Sequence, residues 1–335
     1  MTRRGCAGTI GQGEGKESEG KERFVRDPNE CVVVQHVFLV EQKLLKTSKK
    51  GSFYLDVTLS DRTGSVNAKF WDATRSLHES FGQGDFILVR ANVESYQGRP
   101  QLIISNLKKV PDEEVELADF LPASERDPKE MEEELRALCA RVEDEHLGKL
   151  LEDVFDDEFL EKFSRCPAAV SLHHSYLGGL MEHTLSVATM ALDTVARYDI
   201  LDKDLMLAGA LLHDIGKVEE IEHGRAFRYS DRGSLVGHLV IGAWMVRDKA
   251  LGQKDFPQGT LMQIEHIILS HHGQYEFGSP KLPATAEAFM VYYIDNLDAK
   301  MNQVTRAIEQ DLGETNWTDW KSSLKTRLYR KRIDQ

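Results

Sequence analysis

At residues 211–220 the sequence reads LLHDIGKVEE, which sets His213 beside Asp214 at the end of an apolar run and just ahead of Gly216. An imidazole and a carboxylate buried at a helix end must be paired or must hold something, since an unpaired buried polar group costs on the order of 1–3 kcal/mol. The same half of the chain supplies companions. His183 stands in GGLMEHTLSVA, His238 in GSLVGHLVIGA, His271 and His272 in ILSHHGQYEFGSP, and Asp295 in VYYIDNLDAK. Nine of the 12 histidines lie between His173 and His272. Each of these groups has apolar neighbours at helical spacing; Leu180, Val187 and Met190 share a predicted helix stripe with His183. A lone histidine on such a stripe is more often a hydrogen-bonded core residue than a ligand. Gathered on five predicted helices, however, these groups leave many donors and acceptors to satisfy at once. A cation resolves the problem, because neutral imidazoles and ionised carboxylates are good ligands and the ion offsets the buried negative charge.

The order H…HD…H…HH…D, over residues 165–310, resembles that of the HD-domain metal-dependent phosphohydrolases. The resemblance implies a minimal ligand set of His183, His213, Asp214 and Asp295, to which binuclear members add His238, His271 and His272. Asp214 would bridge two ions, with His183, His213 and Asp295 on one and the other three histidines on the second. Asp298, in the same DNLDAK, rivals Asp295; the family's late aspartate precedes xLDA, which selects Asp295. The resemblance also places Lys217 against the phosphate, its plainer alternative being a cation at a helix end. Two cations a few ångströms apart bring a bridging water towards ionisation at neutral pH and clamp phosphate oxygens. The resemblance implies two divalent ions per subunit, and a histidine-rich ligand set favours transition metals over magnesium, with manganese the first choice and iron, cobalt, nickel and zinc as alternatives. His173 and His174, in LHHSYLGGL, are expected to line the pocket, the other option being a cap on the following helix.

The elements that must position these groups occupy only part of a 335-residue chain, long enough for two domains. With 41% hydrophobic and 29% charged residues the composition is that of a soluble globular protein. No apolar run approaches the ~20 residues that span a bilayer, and the start of the sequence carries no apolar signal region, so neither membrane nor export is expected. Cys6, Cys31, Cys139 and Cys166 form no CxxC pair, which fits a reducing, cytoplasmic setting. The net charge of −13 is local: residues 111–165 carry 20 acidic against 7 basic side chains, whereas residues 31–110 carry 11 basic against 7 acidic. The expected fold class is an N-terminal all-β barrel of the OB type followed by an all-α HD domain. Residues 1–25, rich in Gly, Glu, Lys and Ser, are expected to be disordered. The barrel is expected over 26–111, from about five alternating strands such as FYLDVTL and SVNAKFW with a short helix near TRSLHESF. An acidic helical linker is expected over 112–164 and the HD domain over 165–312. A C-terminal helix or tail at 313–335 follows, with the helix itself expected at 317–330.

OB barrels commonly bind single-stranded nucleic acid with aromatic platforms and a few cations. Here the candidates are Tyr54, Trp71, Lys49, Lys50 and Lys69. Strand alternation that turns Leu55, Val57 and Leu59 inward turns Tyr54 outward. The order of barrel, acidic helix and HD domain, with HHSYLGGLMEHTLSVA, LLHDIGK, SHHGQYEFGSPKLPATAEA and YYIDNLDAKMNQ, resembles the YhaM-type 3′→5′ exoribonucleases over residues 32–320. That resemblance implies removal of 5′-mononucleotides from the 3′ end of single-stranded RNA, with single-stranded DNA as an alternative substrate, and a homo-oligomer. The rival reading is an HD-type phosphodiesterase or phosphohydrolase acting on a small or cyclic nucleotide. Cyclic-dinucleotide enzymes of that type carry GYP after the histidine pair, and GQYEFGSPKLP departs from it.

Overall fold

The structure, a computed structural model, describes residues 33–48, 51–62, 64–96, 99–170, 174–224, 226–309, 311 and 315–330. The segment expected to be disordered, together with Lys49, Lys50 and His173, lies outside these residues. The chain divides between Val115 and Glu116 into two compact units.

The first unit is a closed five-stranded barrel in the order β1-β2-β3-β5-β4. Its strands are β1 (Val33–Thr47), β2 (Phe53–Asp61), β3 (Gly64–Phe70), β4 (Phe86–Tyr96) and β5 (Arg99–Val110), with the short helix α1 (Arg75–Glu79) between β3 and β4. Alternation builds it: Leu55, Val57 and Leu59 of β2 meet Ala68, Ile87 and Val89 in the interior, and the intervening residues face outward. A bulge between Val40 and Gln42 lets the long β1 pair with β4 over its first half and with β2 over its second. The barrel closes through a parallel pairing of β3 and β5 that covers only Asn67–Lys69 against Gln101–Ile103.

The second unit is helical. The acidic segment opens it as α2 (Pro128–Cys139), α3 (Glu145–Val154) and α4 (Asp157–Phe163). These helices are no linker. Met131, Leu135, Leu150, Leu151, Leu160 and Phe163 are buried in the same core as the helices that follow. Part of the acidity is capping: Asp127, Asp144 and Asp156 each accept backbone N–H groups at a helix start, where the dipole favours negative charge. Charge dominates the outer face of these helices, and leucine spacing, the weaker signal in the composition, decides where they pack. Then come α5 (Gly179–Val195), α6 (Lys203–Leu212), α7 (Lys217–Glu220), a hairpin of β6 (Ile221–His223) and β7 (Phe227–Tyr229), α8 (Asp231–Val236), α9 (His238–Gly252), α10 (Gln258–Ser270) and α11 (Ala286–Glu309). Helix α6 is buried from Leu205 to Leu212, and α5, α10 and α11 pack around it.

The helix expected at 317–330 does not form. The segment doubles back instead, with Trp317 bridged to Tyr329 and Lys321 to Thr326 in antiparallel sense, and with Lys325 at the turn in the left-handed region (φ 53°). Trp317, Trp320, Leu324 and Leu328 satisfy a helical template, but Asp311 pairs with both Lys321 and Arg330 and pins the two arms together. The Thr318 hydroxyl accepts the N–H of Leu328, a side-chain bond from one arm to the other.

Candidate metal centre and nucleic-acid face

Five helices and one turn bring the candidate residues together. His183 lies near the start of α5, Asp295 near the middle of α11, His213 caps α6 and His271 caps α10. His238 opens α9, and the turn carrying Asp214 packs directly against it at Gly216. A Cβ on Gly216 would lie 2.1 Å from the His238 carbonyl oxygen and 2.7 Å from the Gly242 nitrogen, so only glycine permits that approach.

The imidazoles converge through one kind of atom. His183 Nε2 lies 3.2 Å from His213 Nε2, 3.2 Å from Asp295 Oδ1 and 3.6 Å from Asp214 Oδ2, while His213 Nε2 is 3.4 Å from the same Asp214 oxygen. The other oxygen of Asp214, Oδ1, faces His271 Nε2 at 3.4 Å and His238 Nε2 at 3.6 Å, and His238 Nε2 is 3.2 Å from His272 Nε2. Ligand atoms of His183, His213 and Asp295 lie within 4.8 Å of one another, as do those of His238, His271 and His272. Asp214 stands between the two triads.

The far side of each ring fixes its tautomer. His213, His271 and His272 donate Nδ1–H to the carbonyls of Ala210 (2.7 Å), Ile268 (2.8 Å) and Phe277 (2.8 Å). His183 and His238 direct Nδ1 at the carboxylates of Asp298 (2.7 Å) and Glu220 (2.8 Å). When neutral, rings so held turn lone pairs, not protons, towards one another. Two lone pairs 3.2 Å apart, as at His238 and His272, repel. Asp214 Oδ1, also buried, has no hydrogen-bond partner among the described residues. Converging lone pairs beside an orphaned carboxylate oxygen are what a divalent cation would satisfy, and the donor set fits one.

The electrostatics set His183 apart. Burial disfavours its charged form, yet its bonds to Asp295 and Asp298 outweigh burial and push it up to about 9, so a cation taking its Nε2 would have to displace a proton shared with Asp295. Burial holds His272 down at about 3, so that ring stays neutral. Burial also opposes ionisation of Asp214, but Lys217 and His213 keep its carboxyl well below the usual range. Lys217, itself buried, places Nζ 2.6 Å from Asp214 Oδ2. It reaches a cavity of about 360 Å³ that His271, His272 and Asp295 also line.

Asp295 joins the converging atoms, whereas Asp298 stands behind His183, accepting also from His174 Nε2 (2.8 Å) and Ser186. His174 therefore does not line this cavity; it borders a separate one of about 480 Å³, beside Asp298, with Nδ1 on the Tyr176 hydroxyl. Glu220 and the supporting role of Asp298 escaped the sequence reading. Asp298 falls one turn from Asp295, a usable signal; nothing local marks Glu220.

The HD domain family matches residues 180–300, and the OB-fold nucleic acid binding domain family matches residues 39–110. Over 280 residues the chain is 33% identical to the 3′-5′ exoribonuclease YhaM of Bacillus subtilis (strain 168), covering 83% of this chain and 88% of that protein. The chain belongs to the YhaM family. The YhaM proteins of Bacillus pumilus and Bacillus licheniformis are 32% and 33% identical, over 79% and 80% of this chain and 86% of each relative.

The barrel carries an aromatic face. Tyr54 and Trp71 pack with ring centroids 4.9 Å apart. Lys69 Nζ lies 5.9 Å from the Tyr54 ring, 5.7 Å from Trp71 and 5.3 Å from Tyr96. The structure thus brings Tyr54, Trp71 and Lys69 together and adds Tyr96, which is 55% exposed. Tyr96 was missed because it is the last residue of β4, where alternation no longer assigns a face.

Proposed function

We propose that this chain is a metal-dependent 3′→5′ exoribonuclease that shortens single-stranded RNA, with single-stranded DNA as a further substrate, to nucleoside 5′-monophosphates. The observation that carries the reading is Asp214, whose two oxygens face two triads of ligand atoms in a chain of the YhaM family. His183, His213 and Asp295 would hold one divalent ion and His238, His271 and His272 a second, with Asp214 shared and manganese the first candidate. When bound, such ions supply Lewis-acid charge to phosphate oxygens and make a neutral-pH nucleophile available. The chain's own residues do the rest. Glu220, Asp298 and three backbone carbonyls hold the rings in the tautomer that offers Nε2. Lys217 keeps a fixed positive charge at the inner end of the cavity, where phosphate oxygens would gather. Tyr54, Trp71, Tyr96 and Lys69 offer a face on which successive bases stack without regard to sequence. Lys49 and Lys50 would extend its charge. The protein would act in the cytoplasm as a homo-oligomer, which multiplies a weak basic face.

The deciding assay is the purified protein with Mn²⁺ and a 5′-labelled single-stranded RNA. A ladder that shortens from the 3′ end is expected. Internal cuts, or an inert protein in every metal of the series, would overturn the reading.

A further inference from the structure

The cavity beside the metal ligands has a second wall that hydrolysis alone does not require. Beyond Lys217, His271, His272 and Asp295 it is lined by Phe277, Tyr292 and Lys300. Phe277 is 60% exposed, so it packs no core. It sits in a single 3₁₀ turn, Tyr275–Phe277, closed by Gly278 in the left-handed region (φ 84°). Its carbonyl receives the Nδ1–H of His272, which ties the ring's backbone to a candidate ligand. Tyr292 is fixed from the other side. A Cβ on Gly273 would fall 2.2 Å from the Tyr292 ring, so that ring lies flat against the backbone that follows the histidine pair, and Gln274 donates to its hydroxyl at 3.2 Å. Two aromatic side chains are therefore anchored to the segment from His272 to Phe277, at the edge of a charged cavity. Tyr292, Asp295 and Lys300 share one face of α11, which places the cation further from the ring than the carboxylate is.

We propose that Phe277 and Tyr292 form a base-stacking subsite for the 3′-terminal nucleoside, with Lys300 meeting a phosphate outside the reacting one. This deepens the exonuclease reading and rests on it. A volume of about 360 Å³ is that of a small-ligand site. It admits one nucleotide at a strand end and gives no room to a folded or paired one. Stacking is tolerant of base identity, so the subsite recognises an unpaired end and not a sequence.

The test separates the subsite from the activity. Calorimetric titration of the Mn²⁺-loaded protein compares adenosine 5′-monophosphate with ribose 5-phosphate, and kinetics compare RNA ending in an ordinary residue with RNA ending in an abasic one. The wild type is expected to prefer the base-bearing member of each pair by about tenfold, in KM more than in kcat. Phe277→Ala should bind and cleave both members alike, and Phe277→Trp should restore the preference; circular dichroism monitors folding, which an exposed side chain does not govern. A wild type indifferent to the base, or a Phe277→Ala that keeps the preference, overturns the subsite even where RNA is shortened normally. Preference for the nucleotide in the titration without any shortening of RNA upholds the subsite and sinks the exonuclease reading instead.

Discussion

Asp214 turns one oxygen to each triad. Asp214→Asn replaces one oxygen by an amide that donates, into a space already crowded with lone pairs. It should abolish hydrolysis, cut bound metal per chain by at least half in elemental analysis, and erase the rise in Tm that Mn²⁺ gives the wild type, with far-UV circular dichroism unchanged. At a free-metal level of 100 times Kd that rise corresponds to about 2.7 kcal/mol. Equal metal content in mutant and wild type would rule out the shared-ligand role. Glu220→Gln is milder: it keeps a partner for the His238 ring but removes the charge, and metal affinity should fall about 10–100-fold by competition with a chelating dye. The seven chemistry-bearing groups were legible because histidine and aspartate on apolar stripes contradict burial unless something holds them. The residues that support them were not, since His174 reaches Asp298 across 124 positions and no periodicity encodes such a meeting.

At the level of elements, the turn between α6 and α7 decides whether the triads face each other. Gly216→Ala drives a methyl group into the α9 backbone, and relief requires α9 to shift with His238 on it. Overpacking of this kind costs about 1–3 kcal/mol. The expected outcome is a lower Tm in chelator, together with a larger loss of the ion that His238, His271 and His272 would hold than of its proposed companion; an unchanged Tm would show that α9 yields freely. Elements with one strong signal were legible in the sequence: barrel strands through alternation, α5, α6, α9, α10 and α11 through apolar spacing. The acidic helices and the C-terminal segment misled because two signals conflict there. Charge hid the leucine face of α2–α4, and apolar spacing hid the ion pairs on Asp311.

For the whole molecule, the division into two units should make recognition and hydrolysis separable. The helical unit holds every candidate ligand and a core of its own. Residues 116–335 alone should bind metal and hydrolyse bis-p-nitrophenyl phosphate at rates near the full chain's, yet lose most action on long single-stranded RNA. Within the full chain, Trp71→Ala or Tyr96→Ala should weaken RNA binding by about 1–3 kcal/mol per lost stack, read by fluorescence anisotropy. Raising salt should weaken the full chain on RNA more than the truncated one, because Lys–phosphate contacts release counterions. A truncated chain that degrades long RNA as fast as its parent would reduce the barrel to a scaffold.

The barrel's parallel closure is a seam three residue pairs long, and Lys69 is one of its teeth. Side chains reinforce it from outside, where Asn67 accepts from Gln101 at 2.5 Å and donates to Asp56 at 2.8 Å. So short a seam is where the cylinder should breathe, and breathing would carry Lys69 of one lip away from strand β5 on the other. A nucleic-acid strand laid over Tyr54, Trp71 and Tyr96 then acts as a clasp as well as a ligand. Amide exchange at residues 67–69 and 101–103 should slow on binding single-stranded RNA, while exchange along the long antiparallel pairing of β4 with β1 stays as it was.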